Sequence, residues 1–130
     1  MNVGSAMYAS ATALKSFGVG TQVIAHNLAN VLTEGFKSSR TLYYDLPPYS
    51  GTGAATQKLG AIDGPLIPVQ GLPPQSASPP WVPSGFVEGS TTDVATEMVS
   101  MIVTSRSYQA NAKVIPTVDS MLGTIINLRV

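Results

Sequence analysis

At 130 residues the chain is long enough for one domain or one long helical hairpin and too short for two comfortable domains. Seven Lys and Arg balance seven Asp and Glu, which removes any charge-steered attraction to nucleic acid, an anionic membrane or a polyanionic substrate; without cysteine there is no disulfide scaffold, thiolate nucleophile or Cys-based zinc site. Charged residues make up only 11% of the chain, against about 25% in an ordinary soluble domain, so much of its surface is expected to face other protein rather than water.

The first element is predicted from spacing. Val3, Ser10, Phe17, Ile24 and Val31 stand seven apart, with Met7, Leu14, Thr21 and Leu28 as a second row between them, which is the a and d pattern of a heptad seam. Gly18 and Gly20 each disfavour an isolated helix by about 1 kcal/mol, and Lys15 is the lone charged side chain before residue 33, so the helix needs packing to persist. Thr33-Glu34-Gly35 supplies a glycine for a left-handed C-terminal cap, and the helix is expected to stop just before it.

The middle is different in kind. Nine of the ten prolines lie between Pro47 and Pro83, and seven of the twelve glycines between Gly51 and Gly89. Short apolar pieces at Leu59 to Ile62 and Pro65 to Val69 suit one small hairpin, while Gly71 to Pro74 and Pro79 to Pro83 suit extended, polyproline-like chain. The composition divides the chain into three segments: 1–46, an axial helix and a following extended stretch; 47–92, the Pro/Gly-rich middle; and 93–130, a second axial helix.

The second helix opens at Asp93, whose side chain is placed to cap the first amides, with Glu97 in the first turn. Val94, Met101, Tyr108, Ile115 and Leu122 repeat the heptad, interleaved with Met98, Ser105, Ala112, Asp119 and Ile126; Pro116 disfavours a helix interior by about 3 kcal/mol unless it marks a bend. The expected fold is mainly α: two long helices packed as an antiparallel, coiled-coil-like hairpin around an irregular middle that holds at most a small β-hairpin.

Chemistry is sparse. His26 is the lone histidine, Asp45, Asp63, Glu88 and Asp93 are scattered, no G-x-S-x-G elbow occurs, and Gly18-Val19-Gly20 lacks the strand and third glycine of a dinucleotide loop. No catalytic residue, metal site or cofactor is expected, and neither a nucleic-acid surface nor a small-molecule substrate. No basic n-region or apolar block resembling a cleaved signal peptide is visible.

Two polar clusters interrupt the apolar helices. His26-Asn27-Leu28-Ala29-Asn30, with Thr33, Gly35, Phe36 and Lys37, resembles the N-terminal N-N-x-A-N-x-x-T-x-G-F/Y-K motif of the bacterial flagellar axial proteins, the rod and hook family, departing from it at His26. Glu97, Met98, Met101, Ile102, Arg106, Tyr108, Gln109, Ala110 and Asn111 resemble that family's C-terminal E-M/F-x-x-M-I-x-x-x-R-x-Y-Q-A-N motif. The resemblance covers residues 3–46 and 85–130; in size and in Gly85-Phe86-Val87 it is similar to the proximal rod member, and over Gly35 to Leu46 and Lys113 to Leu128 to the distal rod and hook members.

The resemblance implies a non-enzymatic subunit of the basal-body rod, which spans the periplasm. Its terminal helices would form a torque-transmitting tube with copies of itself and with other axial proteins, after delivery by the flagellar type III export apparatus without a cleaved signal. Phe17, Ile24, Leu28, Val31, Met98, Met101, Tyr108, Ile115 and Leu122 would then pack between subunits, and Asn27, Asn30, Thr33, Gly35, Arg106, Gln109 and Asn111 would set register. A hook or distal-rod paralogue with a shortened middle, a stand-alone helical module gripping a partner helix, and a membrane-associated export component are the alternative readings.

Overall fold

The computed structural model describes residues 3–47, 51–60, 63–69 and 80–128. In chain order it contains α1 (Val3–Ala29), β1 (Ser39–Asp45), β2 (Thr52–Lys58), β3 (Leu66–Pro68), β4 (Phe86–Glu88) and α2 (Val94–Asn127). At 1.5 Å per residue the helices are about 40 and 51 Å long, and they pack against each other. The mainly α architecture with a small hairpin in the middle is the one expected from the sequence.

The direction of packing follows from two contacts. Asn27 is hydrogen-bonded to Glu97, and a Cβ built on Gly20 would lie 3.5 Å from Thr104 Cγ2. Seven residues back along α1 therefore correspond to seven residues forward along α2, which makes the pair antiparallel with heptad spacing.

The face that closes is not the one the apolar rows suggested. On α1 the buried residues are Ser10, Ala13, Ser16, Gly20, Val23, Ile24 and Asn27, so only Ser10 and Ile24 of the expected rows are fully inside. On α2 they are Thr104 and Val118, while Met98, Met101 and Tyr108 are exposed and Ile115 and Leu122 half-buried. The reason is size. Small side chains let the elements approach closely, and the bulky apolar residues turn outward.

β1 and β2 form an antiparallel hairpin from Ser39↔Lys58 to Asp45↔Thr52, which straddles the expected boundary at 46/47. It lies on α1 through hydroxyl groups: Ser16 Oγ donates to Thr52 O at 2.6 Å, and Thr52 N donates to Thr12 Oγ1 at 3.3 Å. Gly51, at φ 98°, presses against the same turn of helix, where a Cβ would fall 1.9 Å from Thr12 Oγ1. Phe17 stacks obliquely on Tyr43, with centroids 5.4 Å apart.

β3 and β4 make a second, three-residue antiparallel pair, Leu66↔Glu88 to Pro68↔Phe86, beyond the single hairpin expected. The Pro80 to Pro83 stretch begins in a turn; residues 61, 62 and 71–79, on which other expectations for the middle fell, lie outside the described residues.

Helix ends follow local chemistry. Asp93 caps α2 as expected, accepting from Ala95 N at 3.2 Å and Thr96 N at 3.3 Å, and bonds with Thr96 and Ala95 hold its carboxyl below the usual range. α1 ends earlier than the glycine implied, at Ala29, because the Asn30 side chain reaches back to His26 O at 2.9 Å and satisfies a terminal carbonyl. α2 runs through Pro116 without interruption. Thr117 Oγ1 donates to Lys113 O in the turn before the proline, and Ser120 Oγ to the carbonyl of Pro116 itself.

Candidate protein-interaction site

Asn27 is the one large side chain that is completely buried among the described residues. Its Nδ2 donates to Ser39 O and to Glu97 Oε1, each at 2.7 Å, and its Oδ1 accepts from Ser39 N at 2.9 Å. One amide thus joins α1, the first residue of β1 and the first turn of α2. Only a side chain with both donors and an acceptor fits; a slip of α1 breaks all three bonds, and a slip of α2 breaks the one to Glu97. Glu97, the first residue of the C-terminal motif and part of the first turn of α2, is the partner of Asn27 across the helices.

The rest of the N-terminal motif shapes the exit from α1. Thr33 Oγ1 donates to Asn30 Oδ1 at 3.1 Å, and the His26 ring meets Phe36 edge-on at 5.4 Å. Gly35 adopts φ 65°, as expected of a left-handed glycine, and its N–H donates to Glu88 O at 2.7 Å rather than capping the helix. Lys37 forms a buried ion pair with Glu88, whose Oε1 also accepts from Gly64 N at 2.7 Å. These two bonds hold the Glu88 carboxyl below its usual range, the Gly64 amide first and the Lys37 ammonium second. No motif pointed to Glu88, which is 51 residues from Lys37.

The C-terminal motif divides. Asn111 bonds back within its own helix, Nδ2 to Ser107 O at 3.0 Å, while Arg106 and Gln109 are exposed. None of the three is brought to Asn27 or Asn30. Of the residues expected to pack between subunits, Ile24 is in the chain's own interior, Phe17, Leu28, Val31, Ile115 and Leu122 are half-buried, and Met98, Met101 and Tyr108 point out.

Around the outward residues the surface is apolar on both flanks of α2. Met98, Val99, Ile102 and Val103 are 58 to 62% exposed, and Met121, Ile125 and Ile126 extend the surface toward the far end. Val99 and Val103 also wall an open groove of roughly 490 Å³, floored by Gly20, Val23 and Ile24 and closed on its other side by β1 residues Arg40, Thr41 and Tyr43. Among the described residues no three His, Cys, Asp or Glu gather to hold a metal ion, and no helix is long and apolar enough to cross a membrane. The geometry is that of a protein-contact surface.

Comparison with known proteins places this surface. Residues 84–128, from β4 to the end of α2, match the model of the flagellar basal body rod FlgEFG protein C-terminal family. The flagellar hook protein FlgE of Escherichia coli is 48% identical over 46 residues, 35% of this chain and 11% of the relative. The flagellar basal-body rod protein FlgG of Bacillus subtilis is 44% identical over 46 residues, and that of Borreliella burgdorferi 49% over 45 residues, each 35% of this chain and 17% of the relative. The match therefore spans a small part of those longer proteins. Over these matched stretches the chain is similar to flagellar basal-body rod and hook proteins, and the family model covers its C-terminal third.

Proposed function

We propose that the chain is a structural, non-enzymatic subunit of the bacterial flagellar basal-body rod. In this reading the α1–α2 hairpin is a preformed building block, and the apolar flanks of α2 pack against copies of the chain and other axial proteins to make a tube that transmits torque. Met98, Met101 and Tyr108 supply the inter-subunit contact together with Val99, Ile102 and Val103, while the Asn27 junction fixes the shape of each block before it docks. Export through the flagellar type III apparatus, without a cleaved signal, is part of the same reading. The short middle favours a place like that of the proximal rod protein FlgC.

The observation that carries it is the inverted distribution of apolar residues. Among the described residues four apolar side chains are buried and 21 large ones are exposed, and exposed apolar area of this extent marks a surface suited to contact with other protein. The test is deletion of the reading frame, with electron microscopy of the flagella and a swimming assay. Loss of filaments restored by the intact gene supports a required axial role; normal, motile flagella contradict it.

A further inference from the structure

The β3–β4 pair is isolated from the rest of the fold. Neither strand packs against a helix or against the β1–β2 hairpin. At its root the chain is pinned by Leu59 N to Ser38 O at 2.9 Å, Thr91 N to Phe36 O at 3.0 Å and Ser38 N to Thr91 Oγ1 at 2.8 Å. Beyond that root, the links from the arm to the chain leaving α1 include the Gly35 N to Glu88 O bond, the Lys37–Glu88 ion pair and the looser Lys37–Asp63 pair at 3.8 Å.

Glu88 stands at the centre of both arrangements. Its carboxylate is 7% exposed; Oε1 accepts from Gly64 N, which closes the open end of the β3–β4 ladder beside the Gly89 N to Pro65 O bond at 2.7 Å. The same oxygen takes the Lys37 ammonium. Asp63, 66% exposed, is a second carboxylate 3.8 Å from Lys37. Glycine is needed where the two strand ends cross, because a Cβ on Gly64 would fall 2.1 Å from Gly89 O, a backbone atom that cannot step aside.

We propose that Lys37 and Glu88 form a latch that seats the β3–β4 pair as a separable arm on the chain leaving α1, so that opening the latch releases the arm while the helical hairpin stays closed. A buried carboxylate that takes hydrogen bonds from two segments is a switchable link, since it is the largest of the few contacts that couple them, the others including the Gly35 N to Glu88 O bond and the exposed Lys37–Asp63 pair. The arm carries Leu66, Ile67 and Phe86, each 39 to 46% exposed, so its seating sets where an apolar surface stands relative to the helices. The latch is independent of how the helices assemble.

Amide hydrogen exchange of the full chain tests this, comparing the native protein with Glu88→Ala, Glu88→Gln and Lys37→Met. The expected result is at least tenfold faster exchange at Val69 and Gly89, whose amides donate at the two ends of the arm, in Glu88→Ala. Glu88→Gln, which keeps an acceptor for Gly64, should fall between it and the native protein. Val23 and Thr104, in the packed helices, should change less than twofold in every variant. Unchanged protection at Val69 and Gly89 would overturn the proposal, and so would parallel loss of protection in the helices, which would make the clasp part of one cooperative core.

Discussion

The two sides of α2 obey opposite rules. Its inner side, along Glu97, Ser100, Thr104, Ser107 and Asn111, is largely polar up to Val118 and faces α1 where Gly20 lies against Thr104 and Asn27 bonds to Glu97, with Val23 and Ile24 as the bulky buried residues between. Its outer flanks carry Met98, Val99, Ile102, Val103 and Tyr108 in the open. In an ordinary globular domain the bulky residues close the interior and the small polar ones face water. Here close approach and hydrogen bonding specify the fold of the single chain, and in the proposed function the apolar area serves contacts beyond it. The difference separates folding from assembly, and substitutions on the two sides should break different things.

The largest effect is expected on the outer side. Changing Met98 and Ile102 together to Glu should abolish rod incorporation and swimming, yet alter the folding stability of the single chain by no more than about 0.5 kcal/mol, because exposed positions contribute little to it. Basal-body composition and chemical unfolding, measured on the same variant, check the two halves. On the inner side, Asn27→Ala removes three hydrogen bonds made by a fully buried side chain and leaves the half-buried Glu97 and Ser39 backbone without them. It should lower stability by about 2–4 kcal/mol, read from urea unfolding.

A smaller pair of changes sharpens the contrast within one turn of α1. Gly18 has open space at its Cβ position, so Gly18→Ala should stabilise by about 0.5–1 kcal/mol through helix propensity. At Gly20 the added methyl meets Tyr43 Oη at 2.1 Å, and displacing that ring also disturbs its stacking on Phe17. Gly20→Ala should therefore lose the propensity gain and come out destabilising by about 1 kcal/mol. Opposite signs of the melting-temperature shift are the readout.

The smallest effect is titration of the clasp. Glu88 has a lower pKa in the fold than in the unfolded chain, so its contribution is fully present above the ordinary carboxylate range and is lost as pH falls through the folded value. Stability measured against pH should show a downward step in acid, and Glu88→Gln should remove that step. A step of the same size in the variant would assign it to other carboxylates, such as Asp93, whose pKa is also lowered.

Much of the architecture was legible in the sequence, and the reason it stopped where it did is physical. Seven-residue spacing and the Asp93 cap located both helices because they report local geometry. Spacing did not say which face would close, since large and small residues both recur at heptad intervals and Gly20, Ser16 and Thr104 carry no apolar signal. The second asparagine of the N-terminal motif, Asn30, ended α1 before Gly35 because a side-chain amide can do the work of a left-handed glycine. The Asn27–Glu97 bond joins residues 70 apart, and Lys37–Glu88 residues 51 apart. Asn27 and Glu97 each stand in a motif, but nothing in the sequence pairs them, and Lys37 stands in a motif whose partner Glu88 does not; the fold supplies both pairings.

The central claim is that the outer flank of α2 is covered by protein in the cell. A photo-crosslinking amino acid at Ile102, 62% exposed in the single chain, tests it most directly in flagellated cells, with Thr104, 7% exposed in the inner seam, as the control position. Adducts are expected from residue 102 to a second copy of the chain or to another flagellar axial protein, and none between chains from residue 104. A probe at residue 102 that captures no protein, in cells that build normal flagella with the labelled chain present, would contradict it.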